Sequence, residues 1–222
     1  MKFISLFEVI GPNMIGPSSS HTAGAVAIGK MARRLLQKEA CRVRFVLYGS
    51  FARTYRGHGT DRALLGGVMG YDMADERIRD AFFEADKKGL AYTYAIDEET
   101  AVSHPNTADV HLEAADGTKL SVRGESIGGG KIRITRIDGV ELDFTGEYAT
   151  LIVEHLDKPG VIAYLTAAFA MKGINIAFMR VFRKEQRKTA YAIMETDEII
   201  PEEVVAHLNL HSEISKVILV QG

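Results

Sequence analysis

Ala149-Thr150-Leu151-Ile152-Val153-Glu154 opens the stretch whose reading decides the fold. This apolar strand runs into a Pro159-Gly160 turn and then a helical run over residues 161–172, stopped by Gly173. A strand over 174–182, a charged turn at 184–188 and a strand over 189–195 follow. A helix started by Pro201 and a last strand over 214–220 complete the order βαββαβ. That order is the split-βαβ, ferredoxin-like unit.

Working back from this unit, the chain changes character near residues 145–148, so the sequence is read as two domains, 1–146 and 148–222. The upstream domain starts with an apolar stretch over residues 3–10 and a loop, Gly11-Pro12-Asn13-Met14-Ile15-Gly16-Pro17-Ser18-Ser19-Ser20-His21-Thr22. Prolines and consecutive serines keep this loop out of helix or central strand. Ile28, Met31, Ala32, Leu35 and Leu36 then keep the spacing of one buried helical stripe. The serines are natural N-caps for that helix, and its small residues Ala23, Gly24, Ala25, Ala27 and Gly29 allow another backbone to pack close. A strand over 43–48 ends in Gly49-Ser50, and a short helix over 63–69 follows the loop Arg56-Gly57-His58-Gly59-Thr60-Asp61. Asp75 caps a further helix that ends at Gly89, and a strand covers 92–96. Asp116-Gly117 and Asp138-Gly139 are hairpin turns between alternating segments. Strands and helices without a regular βα alternation predict a mixed α+β domain, and the fold class of the whole chain is α+β.

Composition narrows the function. The net charge is −2, and Lys plus Arg balance Asp plus Glu in both halves, 19 against 20 and 8 against 9 across residue 147. Neither half has the basic excess that a nucleic-acid partner requires. Cys41 is the only cysteine, which excludes an internal disulfide and a Cys-rich metal site built from this chain alone. No apolar run reaches the roughly 18 residues that span a bilayer, and Met1-Lys2-Phe3-Ile4-Ser5 lacks the long apolar stretch expected of a secretion signal. The expected compartment is the cytoplasm.

Three segments carry candidate chemistry. Ser18-Ser19-Ser20-His21-Thr22, feeding a helix N-terminus, offers N–H and O–H donors where the helix dipole is positive, a setting for an anion such as a carboxylate; ordinary capping is the alternative. His58, between Gly57 and Gly59, is free of helix or sheet packing and can project into a cleft as a candidate for proton transfer, although loop histidines are commonly surface residues. His104-Pro105-Asn106-Thr107 is a turn by composition. Gly128-Gly129-Gly130-Lys131 is no phosphate loop, because Glu125 and Ile132 occupy positions that need Gly and Ser or Thr. The triple glycine therefore signals close backbone approach to a strand or a small ligand. Gly57-His58-Gly59 fails the dinucleotide fingerprint at Arg62. His207 and His211 have metal-ligand spacing without a third ligand and read as solvent-exposed, and Cys41 reads as a core thiol.

Taken in order, Gly16-Pro17-Ser18-Ser19-Ser20-His21-Thr22, Gly57-His58-Gly59-Thr60-Asp61, His104-Pro105-Asn106 and Ser126-Ile127-Gly128-Gly129-Gly130 resemble the iron–sulfur-dependent L-serine dehydratases. The resemblance is to the separate β chain of the two-chain form and covers essentially the whole sequence. Residues 148–222 are similar to an ACT domain, the amino-acid-sensing module, and the first half is similar to the substrate-binding-like domain of some phosphoglycerate dehydrogenases. The resemblance implies conversion of L-serine to pyruvate and ammonia, a [4Fe–4S] cluster held by cysteines of a partner α subunit, and no metal ligands in this chain. It implies His58 as base for the α-proton, with His21 the other candidate. Ser18, Ser19, Ser20 and Thr22 would hold the carboxylate or line the cluster pocket, and Asn106, Gly128, Gly129 and Gly130 would shape the same cleft. In the ACT half the implied effector residues are His155, Asp157, Gly160 and Asn175. Asp157 stands where serine-sensing relatives carry Asn, and its carboxylate would repel that of the ligand. A structural role or an ACT-mediated homodimer is the alternative there. The competing reading of the whole chain is a non-catalytic amino-acid-sensing regulatory subunit. A regulatory fragment of a dehydrogenase is disfavoured by the missing fingerprint.

Overall fold

The computed structural model describes residues 13–183 and 185–221. The apolar stretch read over residues 3–10, together with Gly11, Pro12 and Lys184, lies outside them. The chain divides into two compact units, Met1–Gly139 and Val140–Gly222. The boundary drawn from the sequence at 145–148 lies just beyond the first strand of the second unit, β6 (Val140–Phe144).

In the first unit a wide π-helical turn, Ser19–Ala23, runs into α1 (Gly24–Leu36). The stripe Ile28, Met31, Ala32, Leu35 and Leu36 is buried, as its spacing predicts. β1 (Ala40–Tyr48) leads into α2 (Gly49–Thr54), and α3 (Thr60–Val68) follows the His58 loop. Asp75 caps a 3-10 turn (Glu76–Asp80) before α4 (Ala81–Lys88), which ends on the left-handed Gly89. β2 (Ala91–Asp97), β3 (Thr107–Ala114), β4 (Lys119–Gly128) and β5 (Lys131–Ile137) complete the unit. Its strands lie in the order β2-β1-β3-β4-β5. The β1–β2 pair is parallel, and the remaining pairs are antiparallel.

Glycine sets how tightly the helices seat. A Cβ on Gly67 of α3 would lie 2.2 Å from the Val26 carbonyl oxygen, and one on Gly29 of α1 would lie 2.3 Å from that of Leu64. The two helices therefore cross at backbone contact, as the small residues of α1 predict. Gly124 of β4 plays the same part beneath α1, since its Cβ would fall 2.8 Å from Ile28.

The second unit carries β7 (Ala149–Leu156), α5 (Val161–Ala170), β8 (Phe178–Arg183), β9 (Thr189–Thr196), α6 (Glu202–Leu208) and β10 (Ile214–Val220). Its antiparallel sheet has the order β10-β7-β9-β8, the ferredoxin-like arrangement. Leu151, Val153, Leu165, Phe169, Met194 and Leu208 form its core, where each large apolar side chain contributes about 2 kcal/mol. The strand predicted over 174–182 begins only at Phe178, because residues 174–177 come off the end of α5 as irregular backbone.

Two single-residue expectations are corrected. Cys41 is exposed, because burial along β1 begins only at Val43, and its thiol donates to the Glu113 carbonyl at 3.3 Å. His207 and His211 are half-buried, their rings packed on Tyr164 with centroids 5.1 and 4.4 Å away.

The α1–α3 crossing gives a direct test. Gly67→Ala is expected to cost about 2 kcal/mol in urea denaturation, since the added methyl must push two backbones apart. Gly57→Ala, whose Cβ meets nothing nearer than 3.8 Å, is expected to change stability little. Equal stabilities of the two variants would contradict the close crossing.

Candidate functional site

Four loops of the first unit meet above the C-terminal ends of β1 and β4. Ser18 caps the π-helical turn, its hydroxyl oxygen accepting the His21 N–H at 3.2 Å. The turn is one residue wider than an α-turn, so Gly24 N–H reaches back to the Ser19 carbonyl. Such insertions concentrate at functional sites.

Both ring nitrogens of His21 are engaged. Nδ1 lies 3.3 Å from the Ser18 hydroxyl and 3.2 Å from that of Ser20, and Nε2 lies 3.0 Å from the Ser50 hydroxyl. The ring packs edge-on to Phe51 and to His58, with centroids 5.4 and 4.6 Å apart. Burial, with a smaller contribution from His58, pushes its pKa below the usual histidine value, so the neutral ring is the form the site holds.

His58 differs in every respect. Its Nδ1 is buried without a partner, and the residue lines a cleft of about 640 Å³. The same cleft is bordered by Thr22, Asp61, Arg56, Arg62 and Arg79. Thr22 donates its hydroxyl to the His58 carbonyl at 3.0 Å, which ties the serine loop to the histidine loop. Gly16 makes room for Thr22, since a Cβ there would sit 2.5 Å from its side chain. Gly59 adopts φ +67° and starts α3. Asp61 is 9% exposed, and burial raises its carboxyl pKa against the opposing pull of the Arg62 N–H and of the Arg62 and Arg56 charges. The three arginines make no ion pair within 4 Å among the described residues, which leaves the cleft cationic.

The turn at residues 104–106 is held between β1 and β4. Asn106 donates its N–H to His104 Nδ1 at 3.2 Å and accepts the Ser126 N–H at 2.9 Å. Ser50 N–H donates to the Pro105 carbonyl at 2.7 Å. Beneath the turn, the fully buried Glu125 accepts bonds from Ser103 and Arg133. Asn106 Oδ1 is buried with no partner. Ser126 donates its hydroxyl to the Ser20 carbonyl at 2.8 Å and closes the ring of loops.

The structure thus brings Ser18, Ser20, His21, Thr22 and His58 together, with the backbone of Asn106 reaching them through Ser126. Ser19 takes part through its carbonyl. Gly128, Gly129 and Gly130 form the β4–β5 turn with φ +101°, +61° and +80°, and nothing lies within 4 Å of where a Cβ would stand on Gly128 or Gly129. Their positive φ angles account for the glycines without a neighbouring strand. Sequence reasoning missed Ser50 and undervalued Ser126. The one available signal for Ser50 was a Gly-Ser pair closing a buried strand; its contact with His21 spans 29 residues.

In the second unit, His155 is 2% exposed; Nδ1 donates to the Leu156 carbonyl at 2.9 Å and Nε2 is buried without a partner. Asp157 is occupied within the chain. Its carboxylate accepts the Arg187 N–H at 2.9 Å and Arg183 at 3.1 Å, and these bonds hold it below the usual carboxylate range. Gly160 opens α5 at φ +93°, and Asn175 is exposed.

No three His, Cys, Asp or Glu residues among those described are placed to hold a metal. Cys41 lies at the opposite end of β1 from Ser50. With one cysteine in the sequence, the described residues do not fit the role of cysteine ligands to a cluster.

Comparison with known proteins agrees with this architecture. Residues 3–136 match the family model described as serine dehydratase beta chain, and residues 149–209 match the ACT domain. The chain is 44% identical to the probable L-serine dehydratase, beta chain, of Bacillus subtilis, over 94% of both chains. It is 38% identical to the L-serine dehydratase, beta chain, of Peptoniphilus asaccharolyticus, over 91% of both. It is also 27% identical to a D-3-phosphoglycerate dehydrogenase of Synechocystis over 87% of this chain and 34% of that protein. The chain belongs to the serine dehydratase beta-chain family and carries an ACT domain at its C-terminal end. No helix among the described residues is long and apolar enough to cross a membrane.

The depressed pKa of His21 has a measurable consequence. The folded chain binds fewer protons at this site than the unfolded chain does below the ordinary histidine pKa of 6.5. The stability contributed by the neutral ring is complete above that value and is lost as pH falls through it toward the pKa of His21 itself. Titration of the His21 ring by NMR is expected to show a midpoint below 6.5; a midpoint above it would contradict the burial account.

Proposed function

We propose that this chain is the β subunit of a two-chain, iron–sulfur L-serine dehydratase of the cytoplasm, converting L-serine to pyruvate and ammonia only with a cysteine-bearing α subunit. A [4Fe–4S] cluster held by that subunit would act on the serine hydroxyl as a Lewis acid. The observation that carries the reading is the contrast between two adjacent imidazoles: His21 is bonded through both nitrogens, whereas the buried Nδ1 of His58 has no hydrogen-bond partner among the described residues and the residue borders an open cationic cleft.

In this reading the Ser18 and Ser20 hydroxyls, at the N-terminal end of α1, hold the substrate carboxylate, aided by the helix dipole and the arginines of the cleft. Thr22 fixes the His58 loop rather than touching substrate. His58 removes the α-proton; the electron pair left on Cα forms the double bond to Cβ as the β-hydroxyl departs. The enamine so formed releases ammonia on hydrolysis to pyruvate. Asn106 and the 128–130 turn border the face that the α subunit closes.

The ACT unit has a second reading favoured by a specific observation. Asp157 is consumed by Arg183 and Arg187, so its role is to hold the β7–α5 loop, and the unit serves structure or a homodimer rather than serine capture.

In the complex reconstituted anaerobically with the α chain, His58→Ala is expected to lower pyruvate formation from serine by about a hundredfold or more while cluster content stays constant. Near-normal turnover would remove His58 from the role. A wild-type complex that makes no pyruvate would overturn the reading as a whole.

A further inference from the structure

A neutral imidazole has one N–H donor and one bare acceptor nitrogen, and the bonds of its neighbours decide which is which. At His21 the choice has consequences for the hydroxyls around it. Nδ1 faces Ser18 and Ser20, and Nε2 faces Ser50. If Nδ1 were the acceptor, a hydroxyl proton of Ser18 or Ser20 would turn to it and be withdrawn from any ligand. If Nδ1 carries the proton, it donates to those oxygens, and even with the two hydroxyls 3.4 Å from each other at least one hydroxyl proton stays available to a ligand. The second arrangement needs a donor at Nε2.

The Ser50 hydroxyl is placed where it can be that donor. Its hydroxyl has no other partner among the described residues and lies 3.0 Å from Nε2. Its backbone is fixed on both sides: the N–H donates to the Pro105 carbonyl at 2.7 Å and its carbonyl accepts the Thr54 hydroxyl at 2.8 Å. The preceding Gly49 has φ +54°, and a Cβ there would lie 2.7 Å from the Pro105 oxygen, so the strand-to-helix corner that presents Ser50 is itself specified. Ser18 is equally constrained, because its oxygen already accepts the His21 backbone N–H.

We propose that Ser50 is a positioning residue that holds His21 in the Nδ1–H tautomer and so keeps a hydroxyl of Ser18 or Ser20 free to donate to a substrate carboxylate. The part played by the hydroxyls rests on the function proposed above; the tautomer does not. His21 then organises the carboxylate site without exchanging a proton, and His58, edge-on to it, is left to the proton transfer proposed above.

Long-range proton–nitrogen NMR correlation on the labelled, isolated chain at neutral pH tests the assignment. The wild type is expected to show Nδ1 pyrrole-like and Nε2 pyridine-like. Ser50→Ala is expected to move the proton toward Nε2, and Ser50→Thr, which keeps the hydroxyl, to restore the wild-type pattern. A pyrrole-like Nε2 in the wild type, or an unchanged His21 pattern in Ser50→Ala, overturns the proposal, and the first of these needs no variant to fold. In the reconstituted complex, Ser50→Ala is expected to raise KM for serine about tenfold, as for the loss of a charge-assisted bond, with kcat less affected. An unchanged KM overturns the carboxylate link. Absence of turnover in the wild-type complex would sink the proposed function while leaving the NMR result to decide the role of Ser50.

Discussion

The site depends on one hydrogen bond made through the space left by a missing side chain. Ser126 of β4 donates its hydroxyl to the Ser20 carbonyl at 2.8 Å. It can do so because residue 24 is glycine: a Cβ there would lie 1.9 Å from the Ser126 oxygen. The serine loop is otherwise backbone that begins a helix, with little regular structure to fix its approach. Bonded to the sheet, it presents Ser18, Ser20 and His21 at a defined height above β1 and β4. Ser50 and the 104–106 turn, themselves fixed by strand ends, then meet it. Rigid strands thus position a loop site, which is the usual division of labour between scaffold and function.

Two imidazoles in contact are given different environments by this frame. His21 is buried, bonded at both nitrogens and biased toward neutrality. His58 is anchored by its backbone, through Thr22 and the Thr54 carbonyl, and the residue borders the open cleft. The proposed reaction needs carboxylate donors beside a base, and the packing sets these two unlike rings side by side. The metal chemistry is different in kind: with its single thiol exposed at the far end of β1, this chain offers the cleft no cysteine.

Much of the fold was legible because its signals are local. The βαββαβ order follows from strand length, Pro159-Gly160, Gly173 and Pro201, and the buried stripe of α1 follows from helical spacing. The serine loop and His58 stood out because Gly, Pro and Ser forbid regular structure around them. What was not legible is tertiary. Ser50 looked like a strand terminator, since its contact with His21 joins segments far apart in sequence. Cys41 looked like core, since how far the helices extend along a strand is not encoded in that strand. The triple glycine suggested a close neighbour, whereas its three positive φ angles are satisfied by the turn itself. Asp157 suggested a charge awaiting a ligand, and the Arg183 guanidinium pairs with it within the domain while the Arg187 backbone N–H donates to the same oxygen.

The claim that the sheet holds the serine loop is tested most directly by hydrogen–deuterium exchange on Ser126→Ala, which deletes the bond and adds no bulk. Loss of a bond of this kind, about 1 kcal/mol, predicts roughly fivefold or faster exchange at the His21 and Thr22 amides, with the middle of α1 and the ACT unit unchanged. Unaltered exchange at those two amides would mean that the loop holds its own shape and that the account of the site begins in the wrong place.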